Sequence, residues 1–158
     1  MHTQIARHAG ARKVLLTRRS RPSLELVQRL FSIDRIIASS GEDLVAEVLE
    51  ETDGRGADVI YLCAPSEDAQ ATAFRCAAPR ARFNFSSGQP KGDNLTTIDA
   101  NLVHHRELFI AGASSSLPED NRKALDLLAA NIIDPHKLIT HSFSISDIVS
   151  AFDVAGSK

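Results

Sequence analysis

Short apolar runs without alternation recur along this chain, and each is followed by apolar residues at helical spacing. Lys13-Val14-Leu15-Leu16-Thr17 opens the series; a run of that kind suits a parallel strand covered on both faces. Ile33–Ala38, Ala57–Cys63, Arg82–Phe85 and Leu108–Ala111 read the same way, and Val59, Ile60 and Leu62 make Ala57–Cys63 the clearest buried strand. Helices are expected between them. Leu24, Val27, Leu30 and Phe31 give Pro22–Leu30 an apolar stripe, with Pro22 in the first turn, where a missing N–H costs nothing. Leu44, Val45, Val48 and Leu49 do the same after Ser40-Gly41-Glu42-Asp43, whose acids favour a helix start. An alanine-rich helix is expected over Ser66–Ala77, carrying Phe74. Ser116 and Glu119 read as a capping box for a helix that buries Leu125, Leu128 and Ile132. Met1–Gly10 looks like the second half of a helix, and a short helix closes the chain near Ser146–Val154. Strands alternating with helices predict an α/β fold, a doubly wound parallel sheet in a single domain over residues 1–158.

Composition removes several classes of function. A net charge of -2 argues against a general nucleic-acid binder, so any basic site must be local. No apolar run approaches a membrane span, and Met1–Arg7 has no signal-peptide core. Cys63 and Cys76 lie in segments that look buried and suggest no disulfide framework, which together predicts a cytoplasmic protein. No metal site is expected. His104 and His105 are adjacent and would point to opposite faces of extended backbone, while His136 and His141 have no acid or cysteine at ligand spacing.

Ligands of open parallel sheets sit beyond the carboxyl ends of the strands. Arg18, Arg19 and Arg21 follow the first strand at such an end, either as the wall of an anion site or as a solvated basic loop. One part of a dinucleotide fold is missing. Such a fold begins with a strand and a G-x-G-x-x-G turn that holds the pyrophosphate at a helix N-terminus. This sequence begins inside the helix that should follow that turn, so the expectation is a Rossmann-type sheet truncated at its N-terminus, without first strand or glycine fingerprint.

Several stretches resemble the C-terminal, cofactor-binding part of zinc-dependent medium-chain alcohol and polyol dehydrogenases, the sorbitol and threonine dehydrogenase branch. Met1–Arg7 resembles the helix after the family's fingerprint, and Thr52-Asp53-Gly54-Arg55-Gly56-Ala57-Asp58-Val59-Ile60 its turn and fourth strand. Asn101–Leu108 is similar to the segment entering the sixth strand, and Leu138–His141 with Ile148–Phe152 to the closing stretch. The chain departs from the family at Ala64-Pro65, where glycine usually follows the fourth strand, at Pro79-Arg80-Ala81 in place of Pro-Gly-Gly, and near Ser87, often a glycine.

The resemblance implies hydride transfer between a nicotinamide cofactor and a small alcohol or polyol, with zinc held only by a separate, missing catalytic domain. By itself the chain should be inactive. The implied cofactor wall comprises Thr17, Arg18 and Arg19 at the adenosine ribose, Cys63 and Ala64 after the fourth strand, and Ser86, Ser87 and Gly88 after the fifth, with Ala113 and Ser114 nearby. The arginines, with no acid before Glu25, point to NADP rather than NAD. The resemblance also implies a homo-oligomer joined through Leu108–Ala111. A non-catalytic nucleotide-binding or oligomerising module is the alternative.

Overall fold

The computed structural model describes residues 1–17, 27, 31, 33–63, 66–89, 92 and 94–156. The described elements are α1 (His2–His8), β1 (Leu15–Thr17), β2 (Arg35–Ile37), α2 (Gly41–Glu51), β3 (Ala57–Leu62), α3 (Glu67–Arg75), β4 (Ala77–Phe85), α4 (Ala100–His105), β5 (Phe109–Gly112), α5 (Pro118–Ala129) and α6 (Ile148–Gly156). The helix expected over Pro22–Leu30 lies, apart from Val27, outside the described residues.

All described strand pairs are parallel, in two sheets with orders β1-β2 and β3-β4-β5. This is a Rossmann-type arrangement opened at its middle: among the described residues no ladder joins β1 to β3. One core nevertheless spans both sheets. Val45 and Val48 of α2 pack with Ile37 and Leu15 of the first sheet and with Ala57 and Ile60 of the second. The second core lies between α3, α4 and the three-stranded sheet, where Leu62, Phe74, Ala77, Ala81 and Phe83 meet Leu102 and Val103. The Phe74 and Phe83 rings stack with centroids 4.3 Å apart, which adds directional aromatic attraction to the burial of both rings.

Several local expectations change. The segment expected to end a helix at Ala77 instead begins β4, nine residues long, after α3 stops at Arg75. Alanine's helix propensity loses here to burial, because Ala77, Ala78 and Ala81 are fully enclosed. β3 is not a doubly buried strand: Val59 is 56% and Tyr61 48% exposed, so one face and one edge of it lack cover. Cys63 is likewise exposed rather than buried. α5 begins one residue later than read, at Pro118, with Leu117 as cap and its N–H donating to Asp120 Oδ2 at 3.0 Å instead of a Ser116–Glu119 box. Leu125 points to solvent. His104 and His105 belong to a helix, α4, with rings edge-on at 5.0 Å, so the opposite-face argument from extended backbone does not apply to them.

Arg80 occupies the middle position of the Pro79-Arg80-Ala81 departure with φ of 63°, in the left-handed region. Its N–H donates to Arg106 O at 2.6 Å, which holds that conformation. A side chain there costs about 1–2 kcal/mol. Arg80→Gly should therefore stabilise the chain by about 0.5–1 kcal/mol after glycine's own entropy loss, since the Arg80–Glu107 pair it removes is exposed and contributes little. A rise in thermal midpoint checks this.

Candidate functional site

The carboxyl ends of β3, β4 and β5 lie side by side. Ser86 N–H donates to Leu62 O at 3.0 Å, and Ala113 N–H to Phe85 O at 3.0 Å. Cys63, Ser86 and Ala113 consequently stand in a row along one rim. Ser86 Oγ donates to Asn84 Oδ1 at 2.6 Å, which turns the hydroxyl back towards the strand. Ser87 Oγ and Gln89 Nε2 are buried with no hydrogen-bond partner among the described residues. Gly88 is exposed, with nothing within 4 Å of the place a Cβ would take, so its backbone is open to close approach. Ala113 and Ser114 are exposed beyond β5.

The amino end of α1 meets this rim. Cys63 Sγ lies 3.9 Å from His2 Nδ1, and the His2 ring lies 5.1 Å from that of Tyr61. The other end of α1 reaches the first sheet, where Arg7 pairs with Asp34 just before β2. Asp34 Oδ2 also accepts from Val14 N–H at 2.6 Å. That backbone donor, with Arg7 beside it, holds the Asp34 carboxyl below its ordinary value. Burial has the opposite sign at Cys76, whose thiol is pushed up to about 11.

Of the residues expected from the sequence to form a wall, Cys63, Ser86, Ser87, Gly88, Ala113 and Ser114 come together at the three-stranded rim. Thr17 ends β1 opposite Ile37, in the separate sheet, and is exposed. Arg18, Arg19 and Ala64 lie outside the described residues. Four polar groups beside these were not anticipated: His2, Ser39, Asn84 and Gln89. Ser39 follows β2 and has a buried, unpartnered hydroxyl; a serine just past a strand end was the available signal. His2 carried none, because its position depends on how α1 packs. An open depression of about 630 Å³ lies away from the rim, between α1 and residues 131–137, and is lined by Arg7, His8 and His136. Among the described residues no three His, Cys, Asp or Glu side chains are grouped so as to hold a metal, and no helix is long and apolar enough to cross a membrane.

Parallel strands with helices on the sheet and a polar carboxyl rim define the Rossmann-type class of α/β proteins. Residues 1–130 match the family model of zinc-binding dehydrogenases, and the chain belongs to that family. It is 29% identical over 154 residues to D-arabitol-phosphate dehydrogenase of Enterococcus avium, covering 95% of this chain and 42% of that protein. A protein of Sinorhizobium meliloti 1021 described as a zinc-binding dehydrogenase and bound to NADP is 27% identical, with a TM-score of 0.71 over 84% of this chain and 38% of that one. The short chain alcohol dehydrogenase rspB from E. coli CFT073, complexed with NADH, shares the fold at a TM-score of 0.78, with 22% identity over 99% of this chain and 44% of that one. The chain thus spans less than half the length of each of these proteins.

Proposed function

We propose that this chain is the dinucleotide-binding part of a zinc-dependent alcohol or polyol dehydrogenase, which transfers hydride between a secondary alcohol and NADP(H), and that it is inactive alone. The observation that carries the reading is the rim itself: the carboxyl ends of three parallel strands bring two buried, unpartnered polar groups, Ser87 Oγ and Gln89 Nε2, beside the open backbone of Gly88. Buried polar atoms without partners are costly, and a bound carboxamide or ribose would supply what they lack. Cys63, Ala113 and Ser114 flank that position, and Thr17, Arg18 and Arg19 would take the adenosine end.

Two relatives support the substrate class, since D-arabitol-phosphate dehydrogenase and the sorbitol dehydrogenase of Halalkalibacterium halodurans are both named for polyol substrates. The metal's contribution in such an enzyme is Lewis-acid polarisation of the alcohol. Within this reading the role of the chain is to bind and orient the dinucleotide. The edges of β1 and β3, unpaired among the described residues, support the further proposal that one central strand, with the glycine turn after it, belongs between them.

Titration with NADPH tests the reading. Backbone amide resonances of Ser86, Ser87, Gly88, Ala113 and Ser114 should shift together; no shift at millimolar NADPH would remove the rim as the site. Reading the coding sequence upstream of Met1 for an in-frame glycine fingerprint and cysteine and histidine zinc ligands separates this enzyme from the second reading, an oligomerising module without chemistry.

Among the described residues β5 is an edge strand exposed along its whole length, with Phe109 55% and Ile110 43% exposed. We propose that Leu108–Ala111 joins two copies by extending the sheet. Ile110→Pro should convert dimer to monomer by removing a ladder donor, as read by sedimentation; an unchanged mass would show that the copies meet elsewhere.

A further inference from the structure

Gln70 is the one buried polar or charged residue among those described, 1% exposed within α3. Its Oε1 accepts a hydrogen bond from Thr96 Oγ1, 26 residues further along the chain. Phe74, one turn later on the same helix, is stacked on Phe83 of β4. Thr96 lies between the rim turn 86–89 and α4, in residues 94–99, which form no regular element. Ile98 then enters the core, and Asp99 caps α4 by accepting from Asn101 N–H at 2.9 Å and Leu102 N–H at 3.2 Å. At its other end the turn is tied to the sheet through Ser86 N–H and Leu62 O. Between those two ends, among the described residues of 87–98, the Thr96–Gln70 bond is the only hydrogen bond to the rest of the fold.

We propose that Gln70 is a positioning residue for the dinucleotide wall. It touches no cofactor. By holding Thr96 against α3 it limits the reach of the chain that follows Ser87 and Gly88, and with it the place at which those two residues present themselves at the rim. A leucine or methionine at position 70 would pack without needing a partner. The buried carboxamide makes release of Thr96 costly because an acceptor would be stranded away from water. The inference rests on the rim being the dinucleotide wall, and it extends that site to a helix residue behind it.

The test uses the full chain and chymotrypsin cleavage after Leu95, which is 81% exposed and adjacent to the anchor. Thr96→Val and Gln70→Leu each remove one partner of the bond, whereas Thr96→Ser keeps the hydroxyl. Cleavage after Leu95 should become about tenfold faster in the first two variants and stay near the unsubstituted rate in Thr96→Ser, at cleavage rates elsewhere that do not change. NADPH binding should weaken in parallel, with Thr96→Ser again behaving as the unsubstituted chain. Equal cleavage in all three variants would overturn the proposal, as would Thr96→Ser behaving like Thr96→Val, or faster cleavage spread over the whole chain. An unsubstituted chain that gives no response to NADPH strikes the reading of the rim alone, and the cleavage series then still decides whether Gln70 holds the segment.

Discussion

Gly56→Ala is expected to destabilise the chain by roughly 2–6 kcal/mol, combining left-handed backbone strain with overpacking. Gly56 has φ of 92°, and a Cβ built on it would stand 2.7 Å from Ala77 C and 2.7 Å from Cys76 O. Those neighbours are backbone atoms of the start of β4, so they cannot rotate away. They are also held in place: Ala57 N–H donates to Cys76 O at 2.8 Å, and Gly56 N–H donates to Thr52 Oγ1 at 2.9 Å. A methyl group would push apart the crossing at which β3 begins its pairing with β4. Small domains are stable by only about 5–15 kcal/mol, so the loss is a large part of the total. Gly54→Ala is the control. Its φ is 79° but nothing lies within 4 Å of the added atom, which leaves only the strain, about 1–3 kcal/mol. Denaturant midpoints of the two variants measure the difference directly; equal midpoints would mean that the close approach of Gly56 to β4 is absent in solution.

Arg18→Asp should reverse cofactor preference, from NADP(H) to NAD(H), in a protein that joins this chain to an upstream strand and glycine turn. Dinucleotide sheets that favour NAD place a carboxylate about 20 residues after the glycine turn, where it accepts from the ribose hydroxyls and repels a 2′-phosphate. This chain has Thr17-Arg18-Arg19-Ser20-Arg21 there and no acid before Glu25. A guanidinium can pair with the phosphate, bidentately in good geometry. Bonds to charged groups contribute about 1.5–3 kcal/mol each, or one to two orders of magnitude in affinity. The aspartate should therefore weaken NADP(H) by about 10–100-fold and bring NAD(H) ahead of it. Binding constants for both cofactors, before and after substitution, decide the matter. An unchanged ratio would make the arginines a solvated loop.

Local order was legible where one residue type has one use. The two glycines of Thr52-Asp53-Gly54-Arg55-Gly56 marked the turn before β3, and both have positive φ. The stripe Leu44, Val45, Val48, Leu49 marked the buried face of α2, and Val45 and Val48 are its buried residues. Cys63, Ser86 and Ala113 came from the family resemblance, and each stands directly after a strand, β3, β4 and β5 in turn. Alanine-rich segments were less legible. Ala77 was expected to end a helix and begins β4 instead, in a stretch where Ala77, Ala78 and Ala81 are fully enclosed.

What the sequence by itself determined is the alternation of strand and helix, the parallel sense that alternation imposes, and the family, since each follows from residue order over ten or twenty positions. Tertiary structure decided the rest. That α2 packs against both sheets, while no ladder joins β1 to β3 among the described residues, follows from contacts between residues far apart in the chain. The same is true of His2 beside Cys63 and of Thr96 on Gln70. No local pattern encodes such pairs, because the energy that selects them is released only when distant segments close over a common core.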